Sequence, residues 1–328
     1  MGKRESIRLL IIGKIPPPIG GVTVHVKRLL ESLSNDKSLN FCYINTNDFK
    51  ITQLLKELWN SKIVHVHLSN PFILLSIIVV LRLSFKKSIF TYHGDVGRFS
   101  YLINLLEVIS IKIANYPIFV NLESYQKSCY LNKNSQIITP FIPPMFTKKL
   151  NPELSISIKE KKTEHKFIFC TNAYNISYDK HGVEIYQILS LVKIFNNIPH
   201  LLLIVSDPTG ANKRNLQENN VALNNNILII DEEHDFNSII DLADCVIRYT
   251  STDGDSLSIK EALYKSKNVI ASNVVSRPAG TILVNFNLSE LQHAIINFVP
   301  YQQNIIVENG FVQIKHLYQT IIDEINGS

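Results

Sequence analysis

CVIRYTSTDGDSLSIKEALYKSKNVIA, residues 245–271, contains one full repeat of an alternating fold. An apolar run reaches Tyr249, and a polar turn with two acids and a glycine follows. Helical spacing then runs from Ser256 to Lys265, and Val269–Ala271 opens a new apolar run. Strand, turn, helix, strand in so short a span makes a parallel sheet flanked by helices.

The alternation extends upstream. Phe167–Cys170, Leu201–Val205 and Ile227–Ile230 read as strands, and Val183–Phe195 and Phe236–Ala243 as helices. Nearer the N-terminus, strands are expected at Ile7–Ile12, Phe41–Ile44, Ile63–His67, Ile89–Tyr92 and Pro117–Val120. Val22, Val26, Leu29, Leu30 and Leu33 recur at helical spacing, and further helices are expected from Phe72 and over Tyr101–Ala114. The pattern breaks over 139–166, which contains TPFIPP, NP and a lysine-rich stretch. The expected organisation is an N-terminal Rossmann-like domain at 1–145, a linker at 146–166 and a C-terminal Rossmann-like domain at 167–310. A last helix, within 311–328, carries Val312, Ile314, Leu317, Ile321 and Ile325 on one face and is expected to pack back on the N-terminal domain. The fold class is α/β, with two doubly wound domains facing a crevice at the carboxyl ends of their strands, where ligands bind.

Composition is consistent with this. The chain has 328 residues, 45% hydrophobic and 19% charged, enough for two cores. Cys42, Cys129, Cys170 and Cys245 are far apart, so neither a disulfide framework nor a zinc-cysteine site is expected, and a cytoplasmic setting fits. The first apolar run is too short for a secretory signal. The net charge of +5 is scattered and suits an anionic small molecule or a membrane surface, while no basic stripe interleaved with aromatics points to nucleic acid. The segment from Phe72 to Leu83, ending at Lys86 and Lys87, is too short to span a bilayer. It is either a buried helix or one lying at the membrane interface with its basic residues facing headgroups.

Several segments can carry chemistry. IPPPIGG (15–21) follows the first strand, and its glycines allow a ligand close to the backbone at a helix start; it can equally be a plain turn. It is not the dinucleotide GxGxxG, so a nicotinamide enzyme is not expected. His93, in TYHGD (91–95), follows a strand and projects toward the expected crevice unless it lies in a surface loop. His65 and His67 share a strand face, but no third ligand is near in sequence and a metal is not expected. In residues 248–263, free amides at a helix start suit a phosphate, and carboxylates suit hydroxyls. Glu261 is placed for a ribose diol, Asp253 for a sugar hydroxyl, and Arg248, Lys260 and Arg277 for a diphosphate. Two other readings stand beside these: Ser258-x-x-Glu261 as a capping box, and Asp253-Gly-Asp255 as a metal-binding DxD.

PPPIGGVTVHVKRL (16–29), IVHVH (63–67), TYHGD (91–95), RYTSTDGDSLSIKEAL (248–263) and VIASNVVSRPAG (269–280) together carry a resemblance. The chain resembles the retaining glycosyltransferases of family four with the GT-B fold, in the bacterial surface-polysaccharide branch (O-antigen, capsule or exopolysaccharide). The resemblance implies catalytic roles for His93, Asp253 and Glu261. Of the family's two spaced acids, Glu261 matches the one on the ribose, and Asp253 stands where the family has a Glu on the donor sugar. Gly20 and Gly21 match the glycines near the diphosphate. Further donor contacts are expected from Asn172, Lys180, Arg248, Asp255, Ser256, Leu257, Ser258, Lys260 and Arg277. Lys180 has His181 inserted before Gly182, and the family's upstream Arg is missing. The resemblance also implies a nucleotide diphospho-sugar as donor substrate, no obligatory cofactor or metal, and retention of anomeric configuration. The expected acceptor is a lipid-linked oligosaccharide at the cytoplasmic membrane face, where the protein would be peripheral. A nucleotide-sugar epimerase of similar shape and a non-catalytic sugar-nucleotide-binding scaffold are the alternatives.

Overall fold

The computed structural model describes residues 7–179, 181–302 and 305–327. The chain divides into two compact units, Met1–Met145 with Glu308–Ser328, and Phe146–Val307. Each is built on a six-stranded sheet in which all neighbouring strands run parallel.

In the first unit the strands are β1 (Arg8–Gly13), β2 (Asn40–Asn45), β3 (Ile63–Val66), β4 (Lys87–Tyr92), β5 (Tyr116–Phe119) and β6 (Gln136–Ile137), in the order β2-β1-β3-β4-β5-β6. The helices between them are α1 (Gly21–Asp36), α2 (Ile51–Asn60), α3 (Pro71–Leu83), α4 (Tyr101–Ile113) and α5 (Leu122–Ser128). β1, β3 and β4 are almost wholly buried, which is why they read as unbroken apolar runs. The last helix, α12 (Gly310–Gly327), joins this unit, with Ile314, Leu317, Tyr318 and Ile321 in the same core as Leu9, Ile11, Leu29 and Ile63. Gly310 makes this docking possible. A Cβ there would lie 2.1 Å from the Thr139 carbonyl oxygen, while its amide donates to the Phe141 carbonyl at 2.8 Å.

The second unit contains α6 (Pro152–Glu164), β7 (Phe167–Asn172), α7 (Ile188–Asn196), β8 (Leu201–Ser206), α8 (Ala211–Glu218), β9 (Ile227–Ile230), α9 (Phe236–Leu242), β10 (Cys245–Arg248), α10 (Leu257–Tyr264), β11 (Asn268–Ser272), β12 (Thr281–Val284) and α11 (Leu288–Ile296). The order is β12-β11-β10-β7-β8-β9. Numbered within the unit and read from the other edge, this is the dinucleotide-fold order 3-2-1-4-5-6.

Three expectations need correction. The stretch 146–166, read as a linker, contains α6, and Ile158 is buried in the core with Ile168 and Leu202. It is the one buried residue of that helix, so no apolar stripe marked it. The helix expected at Val183–Phe195 begins only at Ile188, because Glu184 bridges to Tyr178 and Gln187 adopts φ 53°. The segment from Phe72 is not a buried helix. α3 buries Pro71, Leu74, Ile78 and Leu81 but exposes Phe72, Ile73, Val80 and Leu83. Its basic neighbours are also engaged within the protein: Lys86 Nζ donates to the carbonyls of Trp59 (3.1 Å) and Ser61 (2.7 Å), and Lys87 pairs with Glu324 at 3.3 Å. No described helix is long and apolar enough to cross a membrane.

Candidate functional site

In a doubly wound sheet, the gap between strands whose connections leave in opposite directions opens a ligand site at their carboxyl ends. In the second unit that gap lies between β7 and β10, which pair at Phe169–Cys245 and Cys170–Val246. Asn172 ends β7 and Arg248 ends β10. The Asn172 side-chain oxygen is buried with no hydrogen-bond partner.

Arg248 and the following turn form a cation-rich cluster. Asp253 accepts from Arg248 Nε at 3.0 Å and Nη2 at 2.9 Å, a two-point guanidinium–carboxylate pair. It also accepts from Arg277 Nη1 at 2.7 Å and from the Gly254 amide at 3.1 Å. Burial by itself would push the Asp253 carboxyl up, but Arg248 and then Arg277 outweigh it and hold the group below the usual carboxylate range. Arg277 spends its other donors on the Ser272 carbonyl (3.0 Å), Thr250 Oγ1 (3.3 Å) and Ser272 Oγ, and only 1% of its side chain is exposed. Arg248 also lies over the Tyr186 ring, 4.9 Å from its centroid. Asp255 pairs with Lys260, yet burial pushes its carboxyl up despite that partner.

α10 begins beside this cluster. Its cap is Ser256, whose side chain makes no capping bond, and Leu257 and Ser258 are its first two residues. Glu261 therefore sits beyond the third helical position that a capping box requires, and the capping-box reading does not hold. Glu261 is buried, and Asn237 Nδ2 donates to its Oε1 at 3.4 Å. Asn237, on α9, was missed in the sequence because nothing local links it to α10. The two acids of the DxD segment, Asp253 and Asp255, are each tied to cationic side chains. Lys180 lies outside the described residues.

The first unit places its gap between β1 and β3. Gly20, the N-cap of α1, has an extended backbone at φ −163°, and a Cβ on Gly21 would meet nothing within 4 Å, so the glycines leave open space. Thr23 closes the turn, accepting from the Gly20 amide at 3.0 Å and donating to the Pro18 carbonyl at 2.7 Å. His93 is not an isolated loop residue. His67 Nδ1 and His93 Nε2 are 3.1 Å apart, and the His25 ring centroid is 5.3 Å from that of His67 and 5.1 Å from that of His93. One ring nitrogen from each of His25, His67 and His93 lies within 4.8 Å of the others. No third ligand lies near His65 and His67 in sequence; the fold brings His25 from α1 and His93 from just after β4 to His67, and His65 is not in that group. Gly13 allows this packing, since its Cβ would stand 3.2 Å from His67 Cβ and from Val26 Cγ2.

No protein-family model matches the chain, and no curated protein matches it in sequence. Solved structures do match in fold. HepE (Alr3699) of Anabaena in complex with UDP and glucose aligns with a TM-score of 0.64 at 12% identity, covering 88% of this chain and 89% of that one. The sucrose-phosphate synthase (tll1590) of Thermosynechococcus elongatus aligns with a TM-score of 0.64 at 14% identity, covering 97% and 100%. The UDP-GlcNAc 2-epimerase of Methanocaldococcus jannaschii aligns with a TM-score of 0.62 at 13% identity, covering 95% and 100%. At such identities the likeness speaks for architecture, and the architecture is that of a GT-B protein, two Rossmann-like domains on one chain.

Proposed function

We propose that the chain is a retaining glycosyltransferase that moves a sugar from a nucleotide diphospho-sugar to a glycan hydroxyl. The observation that carries the reading is the cluster at the β7–β10 gap. There, two guanidinium groups share one carboxylate beside the start of α10, and a buried acid, Glu261, follows on the same helix. In this reading Glu261 holds the ribose diol, and the amides of Ser256, Leu257 and Ser258 face the diphosphate. The surplus positive charge of Arg248 and Arg277 over Asp253 steadies the charge that grows on the diphosphate as the bond to the anomeric carbon breaks. Arg277, nearly inaccessible, positions Asp253 and through it Arg248. Arg248 is the cation placed to meet the donor. Asn172 offers its unpaired oxygen to the donor, and the Asp255–Lys260 pair borders the site. The resemblance assigns Gly20 and Gly21 to the diphosphate and His93 to the donor sugar. Both oxygens of Asp253 are occupied by guanidinium donors, which leaves it ill suited to be a covalent nucleophile and supports attack from the face the diphosphate leaves. The UDP in the HepE structure supports a nucleotide-sugar donor here.

For the acceptor, we infer a lipid-linked glycan at the cytoplasmic membrane face. The exposed Phe72, Ile73, Val80, Leu83 and Phe85 of the α3 region, with Tyr101 and Leu102 on α4, support it. With Lys86 and Lys87 engaged internally, attachment would depend on apolar burial more than on headgroup charge.

The test is a thermal-shift panel of nucleotide sugars, followed by transfer to lipid-linked acceptors with the product anomer read by NMR. A donor at a hundred times its dissociation constant adds about 2.7 kcal/mol of stability. A flat response across the panel defeats the donor site. The epimerase neighbour favours a second reading, since it matches this chain over its own full length. Incubating a nucleotide sugar without acceptor separates the two, because an epimerase converts it and a transferase does not.

A further inference from the structure

The β3–β4 end of the first sheet gathers four imidazoles, more than a sugar contact at His93 requires. We propose that His25, His67 and His93 form a binding site for one divalent transition-metal ion, Zn²⁺ before others, with a fourth coordination position open. The inference does not rest on the sugar-transfer reading.

Geometry comes first. Zinc–imidazole bonds of about 2.0–2.1 Å in a tetrahedron put the ligand nitrogens roughly 3.4 Å apart. His67 Nδ1 and His93 Nε2 already stand at 3.1 Å, and a nitrogen of His25 completes a group within 4.8 Å. Ligation requires the widest of these separations to close by up to about 1.4 Å.

Hydrogen bonding then sorts the rings. His25 Nδ1 lies 2.8 Å from the Pro140 carbonyl, which can only accept, so the proton sits on Nδ1 and the lone pair on Nε2. That Nε2 is buried and has no partner. A buried acceptor left empty is costly unless something fills the space. His67 Nδ1 and His93 Nε2 share a hydrogen bond, and the ion would take the place of the proton between them. The arrangement of His25, with one nitrogen held by a backbone carbonyl and the other free, is the one metal-ligating histidines adopt. His65 is different. Its Nδ1 is 2.6 Å from the Tyr318 hydroxyl and its Nε2 2.7 Å from Thr91 Oγ1, so both nitrogens are spent. It packs against His67 and is not a ligand.

The donor set selects the metal. Three neutral nitrogens and no carboxylate suit Zn²⁺, Cu²⁺, Ni²⁺ or Co²⁺ and not Mg²⁺ or Ca²⁺. Burial keeps these rings in the neutral form that ligates: His25 is lowered to about 4, and His67 and His93 are also well below their usual range. His93 is only partly buried, which leaves an entry path.

The experiment uses the untagged full-length chain, stripped with a chelator and dialysed against Zn²⁺ or Co²⁺. The expected result is one ion per chain, with three imidazoles at zinc–nitrogen distance by X-ray absorption and low-symmetry visible bands from Co²⁺. His25→Gln, His67→Gln and His93→Gln should each weaken binding by at least about tenfold, and His65→Gln should weaken it less. No stoichiometric binding at micromolar free metal, or fewer than three imidazoles on the bound ion, overturns the proposal. The wild-type spectrum decides it even if a variant fails to fold. Retained donor binding by metal-free protein leaves the donor reading standing whichever way the metal result falls.

Discussion

Acid should loosen the first unit well before the second. His25 and His65 are fully buried, and burial, the largest influence on both, lowers them to about 4 and about 3. For a base with a depressed folded value, the unfolded chain binds the proton first. The stabilising contribution is therefore complete above the unfolded value of 6.5 and is lost as pH falls from there through the folded value. At pH 5 each ring sits about 1.5 units below 6.5, at about 1.36 kcal/mol per unit, so each costs about 2 kcal/mol relative to neutral pH. Together that is about 4 kcal/mol, and His67 and His93 act with the same sign. Glu107, whose buried carboxyl is pushed up, opposes them as a single group. Domain stabilities run at about 5–15 kcal/mol, so the loss is a large share. The assay is hydrogen exchange on chelator-treated protein at pH 7 and pH 5, corrected for intrinsic rates, comparing peptides of β3 and β4 with those of β8 and β10. No histidine of the second unit is buried among the described residues, so its protection should change much less. A fall in opening free energy of under about 1 kcal/mol at β3 and β4 would refute the reasoning. Added Zn²⁺ should raise protection at pH 7 and lose its effect at pH 5, because protons compete for the same nitrogens.

Other outcomes follow from the same geometry. Asp253→Asn strands Arg277 as a buried charge with no counter-ion and should destabilise the second unit by about 3–5 kcal/mol in urea unfolding, whereas Asp255→Asn should cost far less. Glu261→Gln leaves the Ser256 helix start intact, so calorimetry should show donor affinity falling by about 1.5–3 kcal/mol with little change in melting temperature; equal affinity removes Glu261 from the site. Gly310→Ala pushes a methyl into the Thr139 carbonyl, and limited proteolysis should cut near α12 sooner than in the parent protein. Replacing Leu83 and Phe85, the latter 97% exposed, by Asp should release the protein from lipid vesicles, and added salt should have little effect on the parent's binding.

The strands were legible because parallel strands covered on both faces leave continuous apolar runs, as in Leu201–Ser206, where every residue is buried. α6 was not, for the opposite reason: it buries one residue and carries no stripe. α2 does repeat Ile51, Leu54, Leu55, Leu58 and Trp59 at helical spacing, a legible stripe of which the packing half-covers only Leu54 and Leu58. At the candidate sites the sequence named Arg248, Asp253, Glu261 and His93 but not what they touch. Arg277 reaches Asp253 from 24 positions away and Asn237 reaches Glu261 from the same distance, partnerships that only the order of β10, β11 and α9 creates. One signal was available and unused. His25 lies three residues after Val22 and four before Leu29, in the middle of the apolar stripe of α1, where a polar side chain must find a buried partner.

The two units meet the same problem, polar groups buried at the mouth of a parallel sheet, with opposite chemistry. An imidazole escapes the cost of burial by giving up its proton, so His25, His65, His67 and His93 can stand together without a counter-ion. A guanidinium has no such exit, because it stays charged at any pH a protein meets. Arg248 and Arg277 must therefore bury with an acid between them, and Asp253 is that acid. Its short side chain, read in the sequence as a departure from a sugar-binding Glu, accepts from both guanidinium groups and from its neighbour's amide at once. The position thus answers first to the charge of the arginines, and whatever the site binds meets Arg248 already aimed.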